Sequence, residues 1–368
     1  MRRTILLLIT LFCLPTFSQA QTATPSNPNA SSKARAVLQY LYNNMGNHTL
    51  SGQESMLWDS SWGNWVPSSR DQYVHKKTGK YPAVYSSDFG DFAGDTVKDR
   101  GKVVDAALAY AQHGSIIELH YHMVQPDKSD GSGFNTLHIA GTDYGTAKID
   151  QILKPGTSLN VEHLKRLDQI AGYLKVLRDK GVVVLWRPYH EMNGNWFWWS
   201  HQPRYKELWV QMWDRFTNYH KLNNLLWVFS CNYWHSGASG FNLPDRYYPG
   251  HNYVDIVGVD VYVEYSHSYD RRVHDALLKL GHGKPIAITE NGEMPNISKI
   301  KESQPNWVYW VTWMKYETAD HGNTDALYRS VYSDPSVITR DEIDIPAIET
   351  YGEALPSPKD LRITGISN

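Results

Sequence analysis

Two glutamates stand out by where they fall in the chain. Arg187-Pro188-Tyr189-His190-Glu191-Met192-Asn193-Gly194 closes one apolar run, and Ile288-Thr289-Glu290-Asn291-Gly292 closes another. Each puts a carboxyl group where a buried strand would meet a loop. Two carboxyl groups flanking an acetal are the machinery of glycoside hydrolysis. At a separation of about 5–5.5 Å one attacks the anomeric carbon while the other gives up a proton and then activates water; at about 6.5–9.5 Å the outcome is inversion. The competing reading is a pair of solvated loop glutamates.

The neighbouring residue types suit the first reading. Arg187 precedes Glu191 by four residues, so both project from one face of a strand. A guanidinium near Glu290 would favour its ionised form, as a nucleophile requires; closing a structural salt bridge is the alternative. Tyr262 is placed to donate to Glu290, or else to fill the core. A proton donor at Glu191 needs its carboxyl desolvated, or close to a second negative charge, to stay protonated near neutrality. Trp196, Phe197, Trp198 and Trp199 follow in succession. Trp196 and Trp313 are the expected stacking faces for a sugar ring, with Trp198 and Trp199 packed under the loop. Tyr233 and Trp234 are further candidates.

The elements that must hold these groups alternate. Eight strand-like runs are predicted at His48–Ser51, Pro82–Asp88, Ser115–His122, Val182–His190, Asn224–Ser230, Val254–Tyr262, Pro285–Glu290 and Asn306–Trp313. Several are almost continuously apolar until their C-terminal ends, as strands buried on both faces are. Between them, Thr96–Gln112, Val161–Lys180, Arg204–His220 and Arg271–Leu280 carry apolar residues at helical spacing, with Asn160 as an N-cap. Eight strands alternating with helices indicate a single-domain (β/α)8 TIM barrel, in which catalytic groups sit at strand C-termini. Asp127 to Asn160 shows no period and is expected to be a long loop shaping substrate access.

The run His190-Glu191-Met192-Asn193-Gly194-Asn195-Trp196-Phe197-Trp198-Trp199, with Arg187 ahead of it, closely resembles the signature of glycoside hydrolase family 26, best known for β-mannanases. Thr289-Glu290-Asn291-Gly292 is similar to that family's second motif. Weaker similarities lie at Ser51-Gly52-Gln53, His122, Asp260, Tyr262 and Trp313, so the likeness runs from about Lys33 to Tyr351. It implies a retaining enzyme with Glu191 as acid/base and Glu290 as nucleophile. Arg187, His190 and Tyr262 would support them, and His122, Trp196, Asp260 and Trp313 would bind substrate. It implies β-1,4-linked mannan, glucomannan or galactomannan as substrate, with mixed-linkage β-glucan or β-1,3-xylan as the alternatives, and no cofactor.

Residues 1–20 have the layout of a cleavable export signal: Arg2 and Arg3, the apolar run Ile5–Leu14, and Ser18-Gln19-Ala20. Export to periplasm or medium is therefore expected. Residues 21–32, rich in Thr, Ser, Pro, Asn and Ala, read as a flexible linker, followed by a catalytic domain over 33–368 with a short polar tail. Beyond the signal only Cys231 remains, so no internal disulfide is possible. A net charge of −2 argues against nucleic acid or anionic membrane as partner, and no segment is apolar enough to span a membrane. A polysaccharide partner and a monomer are expected. Two readings of other classes compete: a non-catalytic sugar-binding barrel, and a metal hydrolase built on His120 and His122, for which the sequence offers no completing cluster. Asp127-Lys128-Ser129-Asp130-Gly131 lacks the later ligands of a calcium loop.

Overall fold

A computed structural model of the chain describes residues 23–55, 67–90, 100–130, 140–234, 238–262 and 270–345. The export signal and the C-terminal tail lie outside the described residues, as do 131–139 of the segment expected to shape access.

The eight strands form as expected. β1 (Thr49–Leu50 and Gly52–Glu54, interrupted at Ser51), β2 (Val84–Asp88), β3 (Ile116–Tyr121), β4 (Val184–Pro188), β5 (Leu225–Asn232), β6 (Ile256–Val261), β7 (Ile286–Asn291) and β8 (Trp307–Thr312) pair in parallel, each with the next in sequence. The pairing of Gln53 with Thr312 closes the ring. A two-residue ninth strand, Val337–Ile338, extends the lower half of β1.

Side-chain alternation gives the barrel interior two layers. Val84, Ile116, Leu185, Val228, Ile256 and Ala287 make an apolar floor, against which Val37, Leu38 and Leu41 of the helix Ser32–Asn44 pack from below. Two residues further along these strands stand Ser86, Glu118, Arg187, Ser230, Gly258 and Thr289. Strand period thus converts a hydrophobic base into a polar layer without any break in the strands. The outer faces bury against helices, with Trp186, Trp227 and Trp310 wholly enclosed.

Three expectations are corrected. The segment from 127 to 160 is not a simple loop. Thr146–Leu153 forms a helix that buries Ile149 and Ile152. The long helix begins at Ser158, capped by Thr157, whose side chain accepts from Asn160 N; Asn160 is therefore inside the first turn. Lastly, residues 23–31, expected to be a linker, lie on the barrel. Ala23 and Ala30 are buried, Asn27 Nδ2 donates to Leu222 O, and Ser26 donates to Asp255 through its backbone N at 2.5 Å and its hydroxyl at 3.0 Å. These specific bonds outweigh the composition. Among the described residues no helix is long and apolar enough to cross a membrane.

Candidate active site

Glu191 and Glu290 both reach the C-terminal mouth of the barrel and both are buried. Glu290 is the last but one residue of β7, in register with Asp260 of β6. Its Oε1 accepts from Arg187 Nη2 at 2.5 Å, and its Oε2 accepts from the Tyr262 hydroxyl at 2.6 Å. Both oxygens are thereby oriented. The Tyr262 ring is 37% exposed at the mouth, while burial of its hydroxyl and the charge of Glu290 keep that hydroxyl protonated and donating.

Glu191 follows β4 in a tightly folded connection. Tyr189, Glu191, Asn195 and His201 all adopt positive φ, at 47°, 55°, 60° and 55°. Left-handed backbone at four non-glycine residues so close together is strained, and such strain persists only where the surroundings over-determine it. Here they do. Glu191 N donates to Ser230 O, Trp199 Nε1 donates to His190 O at 2.7 Å, Trp198 Nε1 donates to Met123 O at 2.7 Å, and Ser200 donates to Glu191 O. Trp198 and Trp199 are fully buried, as expected, and serve as the loop's anchors. Trp196 stays half-buried and donates its Nε1–H to Glu191 Oε2 at 2.8 Å.

The two carboxyl groups differ in their surroundings. Burial, reinforced by the charges of Asp260 and Glu290, raises the Glu191 pKa well above the ordinary carboxyl range; the Trp196 N–H and Arg187 oppose this without overcoming it. Burial thus favours the protonated form of Glu191, while Glu290 faces a guanidinium.

Arg187 is enclosed on all sides. Besides Glu290 it meets Asp260 Oδ2 through Nη1 at 3.1 Å and Glu118 Oε1 through Nε at 3.4 Å. It is both a structural ion pair and the partner of the nucleophile candidate. Asp260, expected at the sugar, is instead wholly buried under Arg187. Its Oδ1 accepts from Ser230 and Thr289 hydroxyls at 2.8 and 2.7 Å. Burial and the Glu290 charge lift its pKa above the usual range despite Arg187. Glu118, which the sequence reading passed over, accepts from Tyr309 OH at 2.6 Å. Its signal was legible in principle: a carboxylate two residues beyond Ile116 on an interior strand face must have a partner.

The histidines form one cluster. His190 Nε2 lies 2.9 Å from His122 Nε2 and 3.9 Å from Glu290 Oε1. His122 Nδ1 lies 2.6 Å from Asp88 Oδ2. Trp313 is nearly buried, its ring 6.2 Å from that of His122 and 5.7 Å from that of His120. Asp88, His120 and His122, and separately His190, Asp260 and Glu290, stand close enough to share a cation. Arg187 already lies on the carboxylates of the second group, and burial holds His120 in its neutral form. Tyr233 and Trp234 are partly buried after β5.

Known proteins resemble the chain over most of its length. The chain is 34% identical to a family 26 protein from Muricauda sp., whose structure superposes with a TM-score of 0.75 over 86% of this chain and 99% of that one. The β-mannanase of a symbiotic protist of the termite Reticulitermes speratus, solved with a gluco-manno-oligosaccharide, is 27% identical, with a TM-score of 0.73 over 88% of this chain and 98% of its own. The mannan endo-1,4-β-mannosidase of Thermothelomyces thermophilus is 31% identical over 329 residues, 86% of this chain and 63% of the relative; the chain thus spans under two thirds of that protein's length. The profile of Glycosyl hydrolase family 26 matches residues 26–342, and the chain belongs to that family.

Proposed function

We propose that this protein is a retaining glycoside hydrolase that cleaves β-1,4-mannosidic bonds in mannan, glucomannan or galactomannan. The observation that carries the reading is the contrast between the two glutamates. Glu290 is gripped by Arg187 and Tyr262 through separate oxygens. Glu191 is desolvated, and burial keeps its proton on.

The steps follow from that contrast. Glu290 attacks the anomeric carbon as Glu191 protonates the departing glycosidic oxygen, giving a glycosyl-enzyme and a departing chain that ends in a free 4-hydroxyl. Glu191, now a carboxylate stabilised by the Trp196 N–H, takes a proton from water, and the resulting nucleophile releases the sugar from Glu290. Trp196, half-buried at the mouth, is the stacking surface for the sugar, and His190 stands 3.9 Å from Glu290 Oε1. The gluco-manno-oligosaccharide held by the termite-symbiont relative supports a mannan-type substrate. Export after removal of residues 1–20 and action as a monomer belong to the same proposal; sequencing the mature N-terminus and light scattering test them.

A product time course on β-mannan, mixed-linkage β-glucan and β-1,3-xylan tests the substrate. Mannan oligosaccharides are expected, with the β-anomer appearing first by proton NMR. Predominant release from glucan or xylan would reassign the substrate. An α-anomer formed first would overturn retention, and no reducing sugar from any polymer would leave only a binding role.

A further inference from the structure

The carboxylate of Asp88 is committed at both oxygens. Oδ1 accepts from Gly90 N at 2.7 Å and from His122 N at 3.1 Å. Oδ2 accepts from His122 Nδ1 at 2.6 Å. Asp88 ends β2, His122 follows β3 and His190 follows β4, so the three residues tie successive strand ends together. The turn after Asp88 is built for this contact. A Cβ at Gly90 would lie 2.7 Å from both the Cβ and the carbonyl oxygen of His122, so glycine alone lets this backbone N–H approach the carboxylate.

We infer that Asp88 is a positioning residue that sets the tautomer of His190 through His122. A carboxylate only accepts, so His122 Nδ1 carries the hydrogen. In a neutral ring Nε2 is then the acceptor, and the group facing it at 2.9 Å is His190 Nε2. Two N–H donors cannot share that line, nor can two lone pairs. His190 therefore bears its hydrogen on Nε2 and directs it at His122, leaving Nδ1 as an acceptor. A doubly protonated His122 would instead donate from Nε2 and place the hydrogen of His190 on Nδ1, an arrangement that nitrogen-15 spectra distinguish from the neutral one.

The aromatic surroundings hold the rings in place. Phe197 meets His122 and His190 edge-on at 5.4 and 5.2 Å, and Trp199 lies 6.0 Å from His190. The chain Asp88–His122–His190 ends one residue before Glu191, whose φ is 55°. Its effect is to stop the His190 ring from donating to Glu290, whose Oε1 is 3.9 Å away, and to fix the backbone from which the acid projects. The role in catalysis rests on the proposed hydrolase reading; the tautomers do not.

The test is nitrogen-15 labelling of histidine in the whole protein, with long-range proton–nitrogen correlation spectra at neutral pH. Loss of one ring's signals in His122→Gln assigns that ring. The expected wild-type pattern is Nδ1–H for His122 and Nε2–H for His190. In Asp88→Asn the new amide donates to His122 Nδ1, and both rings exchange tautomer. With that exchange, kcat on β-mannan falls about 10–100-fold, as for loss of an orienting partner behind a functional histidine, with KM little changed. Nδ1–H or a doubly protonated ring at His190 in the wild type overturns the inference, whether or not Asp88→Asn folds. So do unchanged tautomers in a folded Asp88→Asn, or exchanged tautomers with undiminished kcat. Wild-type protein that cleaves no polysaccharide would defeat the hydrolase reading while leaving the spectra to decide the tautomers.

Discussion

Trp196 Nε1 donates to Glu191 Oε2 across 2.8 Å, so an aromatic residue at the mouth also sets how tightly the acid holds its proton. That bond favours the charged carboxylate and lowers a pKa that burial has raised. Removing it in Trp196→Phe raises the pKa further. The protonated form then survives to higher pH, and the alkaline limb of the kcat/KM profile moves upward. Gly194→Ala should act in the same direction, because a Cβ there would stand 2.2 Å from the indole and displace it. A pH-rate series on both variants decides; a downward shift would mean that the indole hydrogen is not spent on this carboxylate.

Glu191 and Glu290 should separate by leaving group. Glu191→Ala is expected to lose about 10²–10⁴-fold on polymeric mannan, the usual worth of a positioned general acid. It should keep far more on an aryl β-mannoside whose phenolate departs unaided. Glu290→Ala should be inactive on both. Steady-state rates on the two substrates, with circular dichroism to verify folding, test the assignment; equal losses across the pair would reverse or void it.

Arg187 sits among Glu118, Asp260 and Glu290 with none of its charge exposed. Arg187→Met leaves three buried carboxyls without their cation and should cost about 3–5 kcal/mol of stability, the toll of breaking a buried pair on one side. Arg187→Lys keeps the charge but lacks the planar fork that spans three partners. It should recover part of the stability and little of kcat. Urea unfolding alongside kinetics measures both.

His163, buried beside the Tyr189 hydroxyl at 3.1 Å, makes the fold acid-sensitive. Burial, helped by Arg166, depresses its pKa to about 3. Above pH ~6.5 neither folded nor unfolded His163 is charged. Below that, the unfolded chain binds a proton that the folded chain refuses. Stability should therefore fall by about 1.4 kcal/mol per pH unit from this group alone as pH drops from ~6.5 toward 3. His163→Gln should flatten that segment of the stability curve by one proton. Parallel curves for the two proteins would contradict it.

Activity should be indifferent to chelators. Overnight treatment with EDTA followed by assay on mannan checks this; loss reversed by added zinc would reopen the metal reading built on His120 and His122.

The barrel was legible because its strands carry two signals at once, apolar continuity and a polar C-terminal end. Glu191 and Glu290 followed from the second. What lay beneath them was harder to see. Asp260 reads in sequence as another polar strand end, yet its register with Glu290 turns it under Arg187 rather than toward the cleft. Glu118 and Asp88 have ordinary neighbours in the chain; their partners Arg187 and His122 come from the adjacent strand, and only cross-strand register brings them together. The helix Thr146–Leu153 spans about two turns, too few for a period to emerge from a stretch rich in Gly and Thr.

The strap of residues 23–31 beneath the barrel bears on how far the polypeptide can be trimmed. Asp255 is wholly buried, and it takes hydrogen bonds from Ser26 on one side and from Trp227 N at 2.7 Å on the other. A chain that begins at Ala23 keeps these bonds. Starting the chain at Lys33 instead would strip that carboxylate of its outer donors and the Leu222 carbonyl of Asn27, so a boundary chosen by composition would leave a less well-satisfied base than one set ten residues earlier.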